Sequence, residues 1–184
     1  MNRKLHDVHA SGDGVFNASS GLLIDIKRPT VDMICIEDIA NALSKICRFG
    51  GHSNDFYSVA QHSVIVANLA PSYLCREALL HDATEAYLGD VIKPLKNILG
   101  SVYEEIEDRF MKVICRKYNL SELRLLEVKQ FDKQALSIEH EYFIKGDIPG
   151  WFDAMYKINV NPSTWNHQEA KFKFMSFYKL FFKL

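Results

Sequence analysis

Imidazole and carboxylate groups interrupt the apolar faces of three predicted helices. An ionised carboxylate buried without a partner is so unfavourable that it neutralises or acquires a counter-charge, so a bound cation is an economical explanation of such interruptions. Taken singly, a buried His or Asp is usually a hydrogen-bonded core residue, but three interruptions beside an adjacent His-Asp pair together favour a metal site. The interruptions are His62 in the helical stretch 59–69, Asp82 in 71–89 and Asp132 in 121–145.

The predicted metal ligands are His62, His81, Asp82 and Asp132. Two imidazoles and two carboxylates form a nitrogen and oxygen set that suits Zn²⁺, Mn²⁺, Fe²⁺, Co²⁺ or Ni²⁺ better than Ca²⁺, and the lack of cysteine ligands argues against a closed structural zinc site. An open catalytic metal lowers the pKa of bound water towards neutrality and so favours hydrolysis. Glu85 lies one helical turn beyond His81, where it would accept a proton from that water or orient it.

These residues resemble the H…HD…D signature of HD-domain phosphohydrolases. Within that superfamily they are most similar to the small bacterial 5′-deoxynucleotidases and to the single-domain viral dATP triphosphohydrolases. The resemblance covers roughly residues 36–136 and implies a helical fold, a divalent metal cofactor and a small-molecule 2′-deoxynucleotide substrate. The segments that carry it are Val59-Ala60-Gln61-His62-Ser63, His81-Asp82-Ala83-Thr84-Glu85, Gly89-Asp90 and Lys129-Gln130-Phe131-Asp132.

The resemblance also implies roles for residues that face the substrate. The similar deoxynucleotidases carry an Arg-Trp pair ahead of the first metal His, and Arg48-Phe49 stands at the matching distance before His62. Arg48 would then contact the phosphate or sugar, and Phe49 would take the place of the tryptophan against the deoxyribose or base. Asp90 matches an acidic residue of the catalytic or substrate site; the alternative is a turn-forming Asp beside Gly89.

Cationic and polar residues near the predicted metal site are candidates for binding phosphate. Lys96 matches a lysine of the similar family segment, and Lys129 precedes Asp132 on the same predicted helix. His52 lies in the polar, glycine-bearing loop that follows Arg48 and is a further substrate-binding candidate. For the lysines the alternative is an ordinary solvated side chain, and for Arg48 it is a cation at a helix C-terminus.

Three functions are compatible with this pattern. The leading hypothesis is a dNTP triphosphohydrolase of the dATP type that releases deoxynucleoside and triphosphate, because the lysines and Arg48 suit a triphosphate. The second is a 5′-deoxynucleotidase that converts a dNMP to deoxynucleoside and phosphate. The third, from another class, is a catalytically silent protein that binds a nucleotide or acts as a scaffold. The complete ligand set and the presence of Glu85 argue against the third. Whether a second divalent cation such as Mg²⁺ accompanies the substrate phosphates is left open.

The composition predicts one helical domain. A chain of 184 residues with 48% hydrophobic content suffices for a single sizeable core. We predict an all-α bundle of five to seven helices with a small N-terminal β-hairpin, since residues 1–35 are the least helical part of the chain and glycine and proline separate their apolar runs. Its predicted parts are an N-terminal cover at 1–35, a metal-binding helical core at 36–146 and a C-terminal helix and tail at 147–184.

Charge and cysteine usage narrow the partners and the compartment. The formal net charge of −1 offers no general case for binding a nucleic-acid backbone, and no apolar run reaches membrane-spanning length. The four cysteines show no CxxC spacing and no signal peptide is evident, which predicts reduced thiols in the cytoplasm of a bacterium or of a virus-infected host cell. The aromatic-rich stretch 172–182 predicts either a final core helix or the subunit interface of a homo-oligomer, a dimer or larger.

Overall fold

The computed structural model describes residues 14–145 and 164–183, which form a helical bundle with one small hairpin. This confirms the predicted all-α class with an N-terminal β-hairpin. Parts of the predicted cover and C-terminal region, at 1–13, 146–163 and 184, lie outside the described residues. The elements are β1 (Val15–Asn17), β2 (Leu23–Asp25), α1 (Ile36–Leu43), α2 (Val59–Leu69), α3 (Cys75–Leu80), α4 (Glu85–Leu88), α5 (Lys93–Leu99), α6 (Ser101–Tyr118), α7 (Glu122–Glu139) and α8 (His167–Phe182).

Helix α2 lies at the centre of the bundle and carries His62. It begins after Ser58, whose side chain accepts a hydrogen bond from the backbone amide of Gln61 and so caps the helix. Every residue from Val59 to Val64 is buried, and α1, α3, α7 and α8 all pack against this helix. Because the first turns of α2 have no solvated face, the backbone at His62 is held from several sides.

The single helix predicted over 71–89 is wrong. A 3₁₀ turn at Ser72–Leu74 leads into α3, the chain then turns through 81–84, and α4 follows. In this turn the amide of Ala83 donates to Leu80 O at 3.1 Å and the amide of Glu85 donates to Asp82 O at 3.0 Å. Hydrogen bonds between residues three apart close a tighter turn than those of an α-helix. Periodicity does not reveal the interruption because the apolar spacing continues through it.

Helix α7 lies within the predicted helical stretch 121–145 but ends earlier. The Ser121 side chain accepts a hydrogen bond from the backbone amide of Arg124, which caps the N-terminus, and the α-helix ends at Glu139. A π-helical turn at His140–Lys145 follows. Such turns occur frequently at functional sites, and this one begins directly after a fully buried carboxylate, that of Glu139.

The hairpin is tied to the bundle through its loop. Strands β1 and β2 pair antiparallel, with Phe16 opposite the fully buried Ile24. Asp38 on α1 is buried and accepts hydrogen bonds from Ser19 Oγ at 2.7 Å and from the amide and hydroxyl of Ser20 at 2.8 and 2.5 Å. The buried carboxylate is thereby satisfied, and the hairpin is fixed against α1.

Helix α8 packs against the core on one face, in agreement with the prediction that the stretch 172–182 belongs to a final core helix. Ala170, Phe174 and Tyr178 are buried, and the helix packs against α1, α2 and α3. Its other face carries Phe172 and Leu180, which are 72% and 69% exposed. Among the residues that the structure describes, no helix is both long and apolar enough to cross a membrane.

Candidate metal and active site

His62 is the hub of the candidate site. It is fully buried on α2, and its Nε2 atom faces the other three predicted ligands. This nitrogen lies 3.2 Å from Asp132 Oδ1, 3.3 Å from Asp82 Oδ2 and 3.2 Å from His81 Nε2. The structure therefore brings the four predicted metal ligands together, from α2, from the turn after α3 and from α7.

The turn between α3 and α4 presents two adjacent residues to the same point. His81 Nε2 lies 3.2 Å from Asp82 Oδ2 and 3.9 Å from Asp132 Oδ1. In a continuous α-helix, neighbouring residues project about 100° apart. In this structure the turn brings both His81 and Asp82 within 3.3 Å of His62 Nε2.

When the two imidazole rings are neutral, their hydrogen bonds place the proton on Nδ1 and leave each Nε2 atom without one. His62 Nδ1 lies 2.6 Å from Glu139 Oε1, and His81 Nδ1 lies 2.7 Å from the carbonyl oxygen of Ala78. Because carboxylate and carbonyl oxygens only accept, each Nδ1 carries the proton and each Nε2 presents a lone pair. Two nitrogen lone pairs therefore face each other beside the oxygens of Asp82 and Asp132, an arrangement that a proton or a metal cation between them would stabilise.

The spacing of these atoms fits a metal ion. His62, His81 and Asp132 each offer one ligand atom, and the three atoms lie within 4.8 Å of one another. Ligands bound at the usual lengths of about 2.0–2.2 Å around a tetrahedral or octahedral ion lie roughly 3.0–3.5 Å apart. The 3.2 Å distances from His62 Nε2 to His81 and to Asp132 match that spacing, and the 3.9 Å distance from His81 Nε2 to Asp132 Oδ1 is longer. These three residues form a possible metal-binding triad, and Asp82 Oδ2 lies beside it, 3.3 Å from His62 Nε2.

Protons compete with a metal for this site. Burial and Arg48 act to lower the pKa of His62, but Glu139, Asp132 and Asp82 outweigh them and raise that pKa well above its usual value. Burial acts to raise the pKa of Asp132, but the hydrogen bond from His62 and the nearby His81 hold it below its ordinary value. A divalent cation would replace the His62 proton as the charge that offsets these carboxylates.

Metal binding is therefore expected to stabilise the fold, and more so at higher pH. At about 100-fold excess over the dissociation constant, a ligand of the native state adds about 2.7 kcal/mol, or roughly 5 to 10 °C in thermal midpoint for a chain of this size. The raised pKa of His62 stabilises the metal-free fold fully below about pH 6.5, and this contribution is lost as the pH rises through the folded-state pKa. Thermal unfolding with Mn²⁺ should thus show a larger shift at pH 8 than at pH 6.

A chelator provides the control for that measurement. Excess EDTA should return the midpoint to that of the metal-free protein at each pH. A Mn²⁺ shift that is absent, or that is largest at acidic pH, would contradict a site in which protons and metal compete for His62.

Sequence analysis missed Glu139, a fully buried carboxylate behind the candidate metal site. Its Oε1 accepts hydrogen bonds from Tyr57 Oη and His62 Nδ1, each at 2.6 Å. Burial acts to raise the pKa of Glu139, but His62 and Arg48 bring it below its ordinary value, so the carboxylate is ionised. A signal was available, because Glu139 lies seven residues after Asp132 and therefore on the same face of α7.

Arg48 lies at the site, but its guanidinium is engaged within the protein. Nη1 lies 3.5 Å from Asp82 Oδ2 and Nη2 lies 3.3 Å from Glu139 Oε2, and the side chain is only 11% exposed. Burial acts to lower the pKa of Arg48, but the two carboxylates raise it above its usual value. Phe49 follows in a left-handed backbone conformation with φ 56°, which is uncommon for a bulky residue and turns the chain into the loop before α2.

Glu85, the predicted proton acceptor, is a buried carboxylate that lines the same cavity as Asp82. Its side chain is 7% exposed, and its Oε2 is buried without a hydrogen-bond partner among the described residues. Burial, then Asp82 and Asp90, raise the pKa of Glu85 well above its ordinary value. Burial is also the main cause that raises the pKa of Asp90. Both carboxylates border the same cavity as Arg48.

The remaining predicted residues differ in how close they come to this cavity. Lys96 on α5 lies 2.8 Å from Glu107 Oε1 and 3.9 Å from Glu85 Oε1, while Lys129 on α7 lines the cavity with an exposed side chain. His52 is exposed on the loop after Phe49 and is not among the residues that line the cavity. The structure therefore brings the lysines to the site but not His52.

Two adjoining cavities open onto the metal ligands. One has a volume of about 690 Å³ and the other about 530 Å³, and Asp82, Lys96, Lys129 and Asp132 line both. These volumes fall in the range of small-molecule sites. The larger cavity also has apolar walls from Ile92 and Tyr103 beside Arg48 and Phe49. A ligand bound at the candidate metal site would thus contact lysines in both cavities and an apolar wall in the larger one.

Comparison with known proteins finds relatives but no function. No family model matches the chain. Over 108 residues the chain is 47% identical to the uncharacterized protein YfdR of Escherichia coli strain K12, a match that covers 59% of this chain and 60% of the relative. Over 125 residues it is 38% identical to an uncharacterized protein of Rhodobacter capsulatus, covering 63% of this chain and 64% of the relative. The match thus spans less than two thirds of each curated relative.

Proposed function

We propose that this protein is a metal-dependent hydrolase of 2′-deoxynucleotides, of the HD-domain phosphohydrolase type. The observation that carries the proposal is the convergence of two imidazole nitrogens and two carboxylate oxygens at the junction of two small-molecule cavities. We propose Zn²⁺, Mn²⁺ or Co²⁺ as the resident ion, because a mixed nitrogen and oxygen set suits these metals. A second divalent cation such as Mg²⁺ would accompany the substrate phosphates.

His62, His81, Asp82 and Asp132 would hold the ion, which supplies charge stabilisation and lowers the pKa of coordinated water. Glu85 is the proposed proton acceptor for the attacking water. Its raised pKa, caused first by burial, brings it closer to neutral pH than an ordinary carboxylate, and this suits a general base. Asp90, which borders the same cavity, would orient the substrate or the water.

A deoxynucleoside triphosphate of the dATP type is the proposed substrate. The base and deoxyribose would lie beside Phe49 and Ile92 in the larger cavity, and the phosphates would extend past the metal ligands towards Lys129. Lys129 lines both cavities, and this supports a role in neutralising phosphate oxygens on either side of the proposed metal ligands. The products would be deoxynucleoside and triphosphate.

One observation favours a second candidate, a 5′-deoxynucleotidase that removes phosphate from a dNMP. Lys96 is already paired with Glu107 at 2.8 Å and lies 3.9 Å from Glu85, so its charge is partly offset before any substrate binds. A monophosphate would need fewer cations than a triphosphate. The two candidates share the metal ligands, Glu85 and the Arg48-Phe49 pair.

Lysine variants separate these candidates. For a triphosphate substrate, Lys129→Ala is expected to lower kcat/KM about 10- to 100-fold, because a charge-assisted hydrogen bond contributes about 1.5–3 kcal/mol. Lys96→Ala should act in the same direction, with part of its effect arising from the loss of its pair with Glu107. Steady-state kinetics with dNTP and dNMP would measure both, with Lys117→Ala on the exposed end of α6 as the control. Equal losses with dNTP and dNMP would remove the support for a triphosphate.

Product chromatography tests the proposed function. The metal-loaded protein is incubated with each dNTP, each dNMP and the matching ribonucleotides, and Asp82→Ala serves as the inactive control. Deoxynucleoside with intact triphosphate identifies a dNTP triphosphohydrolase and gives its base preference. Deoxynucleoside with orthophosphate from dNMP alone identifies the nucleotidase. Nucleotide binding without any product, with the metal in place, would instead support a silent binding or scaffold protein.

Assembly and compartment are further parts of the proposal. We propose a homo-oligomer, a dimer or larger, in which the exposed face of α8 with Phe172 and Leu180 packs against a second copy. We also propose a cytoplasmic location, in a bacterium or a virus-infected cell. Light scattering at high protein concentration would test the assembly, and a strictly monomeric species would contradict the proposed homo-oligomer.

A further inference from the structure

We infer that Glu139 is a positioning residue that orients His62 for metal binding, and that Tyr57 and Arg48 hold Glu139 in place. The inference rests on the metal site of the proposed function. Glu139 and Tyr57 are both fully buried, and Arg48 is nearly so. Glu139 contacts Nδ1 of His62, on the opposite side of the ring from the proposed ligands, which contact Nε2. Tyr57 and Arg48 both contact Glu139.

The hydrogen bonds of Glu139 determine which nitrogen of His62 is free. Oε1 accepts from His62 Nδ1 and from Tyr57 Oη, each at 2.6 Å. Because a carboxylate only accepts, it keeps the proton on Nδ1 and leaves Nε2 as the metal-binding atom. Ligating histidines in metal sites commonly donate their other N–H to a carboxylate in this manner, which fixes the ring and raises its basicity.

Arg48 joins Glu139 to one of the metal ligands. Its two terminal nitrogens lie 3.3 Å from Glu139 Oε2 and 3.5 Å from Asp82 Oδ2. The planar guanidinium thus sets the positions of both carboxylates relative to each other. Tyr57 is held in turn by stacking on Phe143, at 4.0 Å between ring centroids. Phe143 belongs to the π-helical turn directly after Glu139, so the local geometry at the end of α7 supports the Tyr57 contact.

Another buried glutamate offers a matched control. Glu77 on α3 is 2% exposed and accepts a hydrogen bond from the backbone amide of Ser121, and it lies 3.9 Å from Arg124. Like Glu139, it is a buried carboxylate with donors around it, but the groups it meets are at the start of α7 and not at the metal ligands. Glu77→Gln should therefore cost stability without changing metal binding.

The test compares Glu139→Gln, Glu139→Ala, Tyr57→Phe and Glu77→Gln. Mn²⁺ affinity is measured by calorimetry at a temperature where circular dichroism shows each variant folded. Glu139→Gln is expected to weaken Mn²⁺ binding about 10- to 100-fold, with Glu139→Ala at least as weak. Tyr57→Phe should weaken it about two- to tenfold, through the loss of one hydrogen bond to Glu139. In the metal-free protein, the downfield Nδ1–H signal of His62 in proton NMR should disappear in Glu139→Ala and persist in Glu77→Gln.

The outcomes distinguish this inference from the proposed function. If the wild type binds Mn²⁺ and folded Glu139→Gln binds it equally well, Glu139 has no positioning role. If Glu139→Ala does not fold, the Gln and Tyr57→Phe variants still decide the matter. A wild type whose Mn²⁺ affinity depends on Glu139 as expected but that hydrolyses no deoxynucleotide would overturn the proposed function and leave the positioning role intact. A wild type that binds no metal would overturn both.

Discussion

Asp132→Ala is expected to abolish metal binding and hydrolysis while leaving the fold intact. Asp132 Oδ1 is the carboxylate oxygen of the proposed ligands that lies closest to His62 Nε2, at 3.2 Å, so its removal would open the proposed metal site. Metal affinity should fall at least about 100-fold, more than for a residue that only supports a ligand. Loss of the ion's contribution to the transition state, several kcal/mol, would lower kcat/KM by about 10³-fold or more, since each 1.36 kcal/mol is tenfold.

The exposure of Asp132 makes this variant a clean test. Its side chain is 40% exposed on α7, whereas His62 is fully buried, so truncation at Asp132 leaves little cavity in the core. Asp32→Ala is the control, because Asp32 is an exposed carboxylate that lines neither cavity. Equilibrium dialysis with Mn²⁺ and steady-state kinetics would measure both effects. Wild-type metal affinity in Asp132→Ala would contradict the assigned ligand set.

Glu85→Gln is expected to separate catalysis from metal binding. If Glu85 is the proton acceptor, its amide replacement should lower kcat about 10²- to 10⁴-fold and leave Mn²⁺ affinity close to that of the wild type. The wild-type rate should also rise with pH through the raised pKa of Glu85, because the base acts only when deprotonated. The acid limb of the pH–rate profile would then lie above the range of an ordinary glutamate.

The same variant should be more stable than the wild type. Burial, Asp82 and Asp90 raise the folded-state pKa of Glu85. The folded protein therefore binds this proton more tightly than the unfolded chain, and it loses stability as the pH rises from the unfolded-state pKa to the folded-state pKa. A neutral Gln of the same shape removes that cost, and thermal unfolding of the metal-free protein should show a higher midpoint near neutral pH. Unchanged kcat, or a loss of kcat that follows metal affinity, would contradict the assigned role of Glu85.

The sequence was informative about the ligands because three of the four proposed lie where a hydrophobic residue is expected. His62, Asp82 and Asp132 interrupt apolar stripes, and the structure brings all three together with His81. The helical class was predictable because apolar residues recur with a clear 3.6-residue period. The hairpin was predictable because glycines separate short apolar runs near the N-terminus. What periodicity missed was the turn at 81–84, because apolar residues continue at helical spacing on both sides of it.

The supporting residues behind His62 were less accessible to sequence analysis. Tyr57 precedes α2 by two residues and meets Glu139 across 82 positions of sequence. No local pattern predicts such a pairing, since it depends on how α7 and the loop before α2 pack together. Arg48 was predicted from a resemblance to contact substrate, whereas its ion pairs with Asp82 and Glu139 arise from tertiary structure.

We propose that one divalent cation, held by the ligands around His62, drives hydrolysis of a deoxynucleotide. The most direct measurement is a titration of chelator-treated protein with Mn²⁺, in which bound metal and hydrolysis of dNTP and dNMP are followed in the same samples. We predict that hydrolysis is absent without metal and rises in proportion to occupancy of the first site, and that Asp132→Ala shows neither. Hydrolysis that persists without metal, or full occupancy with no product from any deoxynucleotide, would contradict this account.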